Sequence, residues 1–109
     1  MGVMQMDIQL KKGVLDMCIL FILKEQDSYG YDITEKISKY IDVSEGTVYP
    51  ILRKLKEDNF LTTYLMESMD GPQRKYYKIT DLGQKRYLKL KEDWDTINLQ
   101  VSKLIKENA

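Results

Sequence analysis

The sequence has 109 residues, of which 17 are Lys or Arg and 17 are Asp or Glu, so its formal net charge is zero. A chain of this length forms one domain with a small core. It contains no histidine, which excludes Ser-His and Cys-His catalysis and most catalytic zinc sites. The densest carboxylate cluster, Glu92, Asp93 and Asp95, falls on a long predicted helix and is more typical of a solvated face than of a metal site. We therefore expect no enzyme activity, no cofactor and no metal.

The only cysteine, Cys18, lies in the apolar run VLDMCILFIL, residues 14–23. An unpaired cysteine in such a run is typical of a small core residue in a reduced, cytoplasmic protein. A reactive thiol is the alternative, but no adjacent cation or histidine supports it. The run is too short to span a bilayer, and Asp16 interrupts it. We therefore expect a buried helix in a cytoplasmic protein without a membrane segment.

The first predicted helix extends from about Ile8 to Lys24, and the polar stretch EQDSYG ends it. Asp27 or Ser28 can cap the next helix, which covers the segment YGYDITEKISKYI. Its apolar residues recur at helical spacing: Ile33, Ile37 and Tyr40.

A third helix is predicted to begin after Ser44, a suitable N-cap, with Val43 and Val48 at the positions of a hydrophobic staple. Pro50 removes one backbone donor inside this helix, but Gly46, four residues back, has a flexible backbone that can relieve the strain. The predicted buried stripe is Val48, Ile51, Leu52 and Leu55. The opposite face carries Thr47, Tyr49, Arg53, Lys54 and Lys56.

A β-hairpin is predicted after Asn59, with strands FLTTYLMES and QRKYYKI joined by the turn MDGP. Within residues 71–91, seven residues are Lys or Arg and one is Asp or Glu, a local charge of +6 in a neutral chain. Such a run can be only a solvated surface, which remains possible for Lys85, Arg86, Lys89 and Lys91. It is the weaker interpretation for Arg74 and Lys75, because a turn projects them.

The last predicted helix follows a cap at Thr80 or Asp81 and continues to about Glu107. Its apolar residues have the spacing of a coiled-coil seam: Tyr87, Leu90, Trp94, Ile97, Val101 and Leu104. Packing on the first helix of the same chain would explain this seam. A seam that long favours packing on both that helix and a second subunit.

Two short helices, a turn and a hairpin are the order of a winged helix-turn-helix, whose second helix enters the DNA major groove. The sequence thus predicts a mainly α-helical fold with a small β-hairpin. Residues 5–79 would form the DNA-binding domain, and residues 80–109 a dimerisation helix that packs with residues 8–24. A neutral protein can bind DNA if its basic residues share one face. The rival interpretation is a winged-helix module that binds proteins and not DNA.

The chain resembles the PadR family of bacterial transcriptional regulators, in its short subgroup. Three motifs carry the resemblance: YGYDI at 29–33, GTVYPILRKLKEDNFL at 46–61, and GPQRKYYKITDLG at 71–83. The single C-terminal helix with a tryptophan near its middle is similar to the dimerisation helix of that subgroup. Two positions depart from the family pattern, because Tyr29 stands where many relatives have His, and Gln73 where many have Arg or Lys.

The resemblance implies a homodimeric repressor that binds double-stranded DNA at a two-fold symmetric operator. By that similarity the helix residues that face DNA would be Ser44, Thr47, Tyr49, Pro50 and Arg53, and Lys54 lies on the same predicted face. The hairpin would contribute Gln73, Arg74, Lys75 and Tyr76, whereas Tyr77 would pack inward. Whether Arg53 contacts a base or a phosphate stays open at this point.

Trp94 is the only tryptophan and lies in the middle of the seam. Two such indoles facing each other across a dimer axis can hold a flat aromatic compound or a planar cation. Multidrug-responsive members of the subgroup similarly use a dimer-interface tryptophan. By that resemblance Leu10, Gly13, Met17 and Asn98 would complete the pocket for a small-molecule effector. The alternative is that Trp94 only fills the core.

Overall fold

The chain folds into four helices and a small antiparallel sheet in the part that the computed structural model describes, residue 11 and residues 13–109. The helices are α1 (Val14–Glu25), α2 (Gly30–Ser38), α3 (Glu45–Glu57) and α4 (Asp81–Asn108). The strands are β1 (Ser28–Tyr29), β2 (Leu61–Ser68) and β3 (Gly71–Ile79). This architecture confirms the predicted winged helix-turn-helix with a long C-terminal helix.

Helix α1 begins later than the sequence predicted. It starts at Val14, after Gly13 with a φ of 80°, a left-handed conformation that glycine adopts without strain. The predicted helix over residues 8–24 is therefore interrupted at Gly13, and residues 8–10 and 12 lie outside the described residues. The helix ends at Glu25, close to the predicted end.

One apolar cluster joins all four helices to the two long strands. Cys18 packs against this cluster and is half-buried, and burial raises the pKa of its thiol, as expected for a packing residue. In α3 the predicted stripe is buried except for Ile51, which is half-buried. The buried members are Leu15, Ile19, Leu20, Leu23, Ile33, Ile37, Val48, Leu52, Leu55, Leu61, Tyr77, Ile79 and Tyr87.

A short strand before α2 adds a third member to the predicted hairpin. The sheet order is β1-β3-β2, all antiparallel, with Ser28 opposite Tyr77 and Tyr29 opposite Tyr76. The prediction of an α2 cap at Asp27 or Ser28 is wrong, because Tyr29 is the N-cap residue and its side chain makes no capping hydrogen bond. Pairing with β3 keeps the chain extended up to Gly30, which delays the helix.

Helix α3 has the predicted N-cap residue without the expected side-chain bond. The backbone oxygen of Ser44 accepts hydrogen bonds from the N–H groups of Thr47 and Val48, but the Ser44 side chain makes no capping hydrogen bond. Val48 is fully buried and Val43 packs against the core, in agreement with the predicted staple. The helix continues through Pro50 to Glu57.

Helix α4 packs on the core at its start, and the rest of its length is exposed. Thr80 caps it, since its hydroxyl oxygen accepts a hydrogen bond of 2.9 Å from the N–H of Gly83. The buried Tyr87 ring lies 5.9 Å from the ring of Phe21 in α1. Every residue from 91 to 109 is exposed. None of the helices in the described part of the chain is long and apolar enough to cross a membrane.

Candidate nucleic-acid interface

The outer face of α3 carries the predicted contact residues of that helix. Burial of Val48, Leu52 and Leu55 fixes the rotation of the helix about its axis and turns the opposite side to solvent. All six predicted residues on this helix and its cap are exposed: Ser44, Thr47, Tyr49, Pro50, Arg53 and Lys54.

A concave surface of about 430 Å³ lies between α3 and the β2–β3 hairpin, which we call the wing (residues 61–79). Its eight lining residues include four cations and no carboxylate, so it concentrates positive potential at one place. It unites four residues that the sequence predicted separately, Tyr49 and Arg53 of α3 with Arg74 and Lys75 of the wing. We call this surface the cationic cup; its lining is Tyr29, Gly30, Tyr49, Arg53, Lys56, Arg74, Lys75 and Tyr77.

Four residues of the cup were not among the predicted contacts: Tyr29, Gly30, Lys56 and Tyr77, which was predicted to pack inward. Lys56 follows Arg53 by three residues, so both lie on one side of α3, and this spacing could have identified it. Tyr29 and Gly30 reach the cup because β1 pairs with β3. Nothing local in the sequence indicates that pairing.

A close approach between Gly30 and Tyr49 shapes the floor of the cup. A Cβ atom at Gly30 would lie 2.6 Å from Cε1 of Tyr49, so the ring rests directly on the bare backbone of α2. Burial raises the pKa of the Tyr49 hydroxyl, and Glu45 adds to the shift. The hydroxyl therefore stays protonated and able to donate a hydrogen bond.

Tyr77 is buried, as the sequence predicted, yet one side of it lines the cup. Burial raises the pKa of Tyr77, the nearby Tyr49 adds to the shift, and the positive charge of Arg53 opposes it. Arg53 is therefore close enough to Tyr77 to influence its ionisation, and it lines the cup together with Tyr49 and the wing residues.

The other predicted contacts lie outside the cup. The side-chain amide of Gln73 donates a 2.7 Å hydrogen bond to Glu67 across the wing, and Lys54 forms a 3.4 Å ion pair with Asp58. Tyr76 follows Lys75 in β3 and so projects from the opposite face of the sheet, where it contacts Tyr64. Ser44, Thr47 and Pro50 do not line the cup and occupy the free N-terminal part of α3.

A small cavity of about 250 Å³ lies between α1 and α4, where the effector pocket was predicted. Three predicted residues, Gly13, Met17 and Trp94, line it, but Asn98 does not. Leu10 lies outside the described residues. The remaining lining residues are Val14, Leu90, Asp93 and Ile97.

A larger apolar groove of about 570 Å³ lies beside this cavity and was not predicted. Its floor comes from α1 and from the residues at and after the end of α2, including Cys18, Phe21 and Ile37. Lys36, Lys39 and Lys91 line it as well. Tyr87 closes one side, which places the groove next to the point where α4 leaves the core.

The sequence matches the transcriptional regulator PadR-like family over residues 19–89, well over half of the chain. It is 34% identical over 87 residues to an uncharacterized protein of Lysinibacillus sphaericus, covering 76% of this chain and 80% of that protein. It is 29% identical over 85 residues to the negative transcriptional regulator PadR of Bacillus subtilis (strain 168), covering 74% of this chain. The match spans 44% of that Bacillus subtilis protein, so the chain corresponds to less than half of its length.

Solved structures of similar proteins have the same fold. A PadR-like transcriptional regulator from Bacillus cereus strain ATCC 14579 is 37% identical with a TM-score of 0.80, covering 89% of this chain and 96% of that one. A PadR family transcriptional regulator from Eggerthella lenta DSM 2243 is 28% identical with a TM-score of 0.83, covering 93% and 89%. The chain therefore belongs to the PadR-like family of transcriptional regulators, and it is a transcription factor and not an enzyme.

Proposed function

We propose that the protein is a homodimeric repressor that binds a two-fold symmetric operator through α3 and the cationic cup, and that a planar aromatic ligand releases it. One observation carries the DNA-binding part of this proposal. Four cations from two separate elements converge on one surface that contains no carboxylate. Such a surface suits a phosphate backbone, because several cations can neutralise neighbouring phosphates together.

In this proposal α3 lies in the major groove and the wing lies over the adjacent backbone. The free N-terminal part of α3, with Ser44, Thr47 and Pro50, enters the groove. The cup receives the phosphates next to it, because Arg53 and Lys56 on one side and Arg74 and Lys75 on the other can neutralise them together. Gln73 contributes less than the other wing residues, since Glu67 already accepts its hydrogen bond.

The test is a titration against duplexes selected from genomic fragments, at two or more salt concentrations. Arg74→Ala and Lys75→Ala should each weaken specific and non-specific duplexes alike and lower the slope of log K against log salt by about 0.9. Lys103→Ala, on the exposed distal part of α4, is the matched control and should leave the slope unchanged. Absence of DNA binding by the wild-type protein would favour the rival protein-binding module.

The dimer is proposed from the free part of α4, in line with a division into a DNA-binding unit, residues 5–79, and a dimerisation unit, residues 80–109. Tyr87 and Leu90 of the predicted seam pack within the chain. The rest of the seam is exposed: Trp94 (40%), Ile97 (52%), Val101 (45%) and Leu104 (63%). A second copy offers matching apolar surface, both its own α4 and the groove beside α1, so two chains can cover each other.

The effector is proposed to bind at Trp94, where the small cavity of each protomer would open toward the partner. Asp93 lines this cavity and gives it a negative wall, although Lys89 is within 3.0 Å of that carboxylate. A planar aromatic cation suits such a site, since it can stack on indole and face the carboxylate. Such a ligand releases DNA if it favours a dimer with a different spacing of the two α3 helices.

Fluorescence of Trp94 during titration with planar aromatic dyes tests whether an effector binds at this residue. A cationic dye should quench Trp94 and should lose its affinity in Trp94→Leu, as measured by calorimetry. Asp93→Asn should weaken a cationic dye and leave a neutral dye of the same shape unaffected. Dyes that neither quench Trp94 nor respond to these changes would leave Trp94 as a packing residue.

A further inference from the structure

Four tyrosines form a continuous row across the outer face of the sheet. The ring of Tyr31 lies 6.3 Å from that of Tyr29, Tyr29 lies 5.6 Å from Tyr76, and Tyr76 lies 5.8 Å from Tyr64, measured between ring centroids. We call these residues the tyrosine row. It joins the first turn of α2 to all three strands, and therefore connects the helical part of the fold to the wing.

The row reinforces an edge of the sheet that the backbone holds only weakly. Strand β1 has two residues and forms two residue pairs with β3. Aromatic pairs of this kind stabilise neighbouring strands beyond the area that they bury. The hydroxyl of Tyr64, at the β2 end of the row, donates a 2.7 Å hydrogen bond to Asp27, immediately before β1, so this bond ties the two outer strands together across β3.

Arg74 of the wing lies on this row. Its guanidinium carbon is 4.7 Å from the centroid of the Tyr29 ring, within the range of a cation–π contact. Among the described residues, none of the ion pairs includes Arg74. A contact with an aromatic ring, unlike an ion pair, leaves the positive charge available to a phosphate.

We propose that Tyr29 is a positioning residue that holds Arg74 at the rim of the cationic cup, and that the tyrosine row fixes the wing for this purpose. This inference deepens the proposed DNA-binding function and rests on it for its consequence. A base-stacking platform is a poorer interpretation of the row, because the inner rings of the row, Tyr29 and Tyr76, each have an aromatic neighbour on both sides. Free ring faces are what such platforms need.

The contact itself can be tested in the free protein, without DNA. A ring current from Tyr29 should shift the side-chain proton signals of Arg74 in the NMR spectrum. Tyr29→Phe keeps the ring and should retain the shift, whereas Tyr29→Leu should remove it. Tyr40→Leu, an 87% exposed tyrosine outside the row, is the control and should retain it. Loss of the shift in Tyr29→Phe, or its persistence in Tyr29→Leu, would overturn the contact.

The functional consequence needs a double-mutant cycle with DNA. Tyr29→Leu should weaken binding about 2- to 5-fold, as expected for the loss of one exposed cation–π contact, and Tyr29→Phe should restore most of it. In the Arg74→Ala background, Tyr29→Leu should cause no further loss. An equal loss in that background would show that Tyr29 does not act through Arg74.

Two controls separate failure of this inference from other causes. Thermal unfolding of each variant shows whether Tyr29→Leu is still folded at the assay temperature, and Tyr64→Phe, which removes only the bond to Asp27, provides a milder change in the same row. If wild type binds no DNA but the Arg74 signals follow the Tyr29 ring, the DNA-binding proposal fails and the contact stands. If wild type binds DNA but the cycle shows no coupling, only the positioning role fails.

Discussion

At the scale of single residues, the neighbours of Arg53 indicate whether it contacts a phosphate or a base edge. It lines the cup together with Tyr49, Tyr77 and the two wing cations Arg74 and Lys75. That position favours a phosphate over a base edge. We expect Arg53→Ala to weaken all operator variants equally and to lower the salt slope by about 0.9.

The contrary outcome is equally distinct for Arg53. A bidentate contact with guanine is worth about 1–3 kcal/mol of discrimination at one base pair. A loss confined to a single operator position in Arg53→Ala, measured across a set of single-base variants, would therefore assign Arg53 to base recognition.

Asp16 provides a second prediction at this scale, because it is a half-buried carboxylate in the first turn of α1. Burial raises its pKa, while the charges of Arg86 and Lys54 partly oppose the shift and Asp58 adds to it. A raised pKa means that the folded state binds the proton more tightly, so stability falls as the pH rises from the ordinary carboxyl pKa through the raised pKa of Asp16, and the full penalty remains above it. We expect Asp16→Asn to be more stable than wild type at pH 7.

The advantage of Asp16→Asn should shrink as the pH falls and disappear below the ordinary carboxyl pKa of about 3.9, where both states carry the proton. Urea unfolding at a series of pH values measures it. Asp95→Asn, in an exposed pair with Lys91 at 2.7 Å, is the control and should lose at most about 0.5 kcal/mol. A less stable Asp16→Asn at pH 7 would mean that Arg86 outweighs burial.

At the scale of elements, Gly83 determines how closely α4 can approach the segment between α3 and β2, where Phe60 lies. A Cβ atom at this position would collide with the backbone oxygen of Phe60 and would lie 2.7 Å from Cγ1 of Ile79. Backbone cannot move aside as a side chain can. We expect Gly83→Ala to destabilise the fold by about 1–3 kcal/mol, measured by thermal unfolding.

Gly46→Ala is the matched control in α3, where the added Cβ would lie 3.6 Å from Oγ of Ser44, an ordinary contact. Alanine is favoured over glycine inside a helix by about 1 kcal/mol. The two glycines should therefore respond with opposite signs. A neutral Gly83→Ala would show that α4 can move away from the Phe60 backbone without cost.

Prediction from sequence succeeded where one element carries its own signal. The spacing of Val48, Leu52 and Leu55 predicted the buried face of α3, and Thr80, one of the two predicted caps, is the N-cap of α4. It failed at β1, since two residues are too few to show a strand pattern and Ser28 also suits a helix cap. The cup was predicted only in part. Three of its four cations were predicted DNA contacts, but Tyr29 and Gly30 reach it only because β1 pairs with β3.

At the scale of the whole molecule, the cationic surface and the exposed apolar surface lie in two different regions of the chain. The wing and α3 present cations with tyrosines, whereas the distal half of α4 is exposed along its whole length and rich in apolar residues. The long dimension of 58 Å comes from a helix that extends beyond its own core, since 28 residues give about 42 Å of α-helix. Such a helix would gain buried surface from a second copy, which is the assembly that we propose.

The decisive prediction for assembly concerns Ile97, which is 52% exposed in the single chain. Aspartate there costs the isolated chain little, because about half of the side chain is already in contact with solvent. Inside a dimer seam the same charge would be buried without a partner, at a cost of several kcal/mol. Ile97→Asp should therefore weaken self-association by at least about 100-fold while the thermal unfolding of the monomer stays cooperative.

Sedimentation at several concentrations measures the association, and Leu99→Asp is the matched control. Leu99 is 71% exposed and lies on the same helix outside the predicted seam, so aspartate there should leave the dimer intact.

Alkylation of Cys18 adds a second readout, because this half-buried thiol lines the groove beside α1 and a partner that covers the groove should slow the reaction. We expect faster alkylation and loss of operator affinity in Ile97→Asp alone, since a monomer binds only one half-site at a time. If Leu99→Asp dissociates the dimer and Ile97→Asp does not, the subunits meet through a different face of α4.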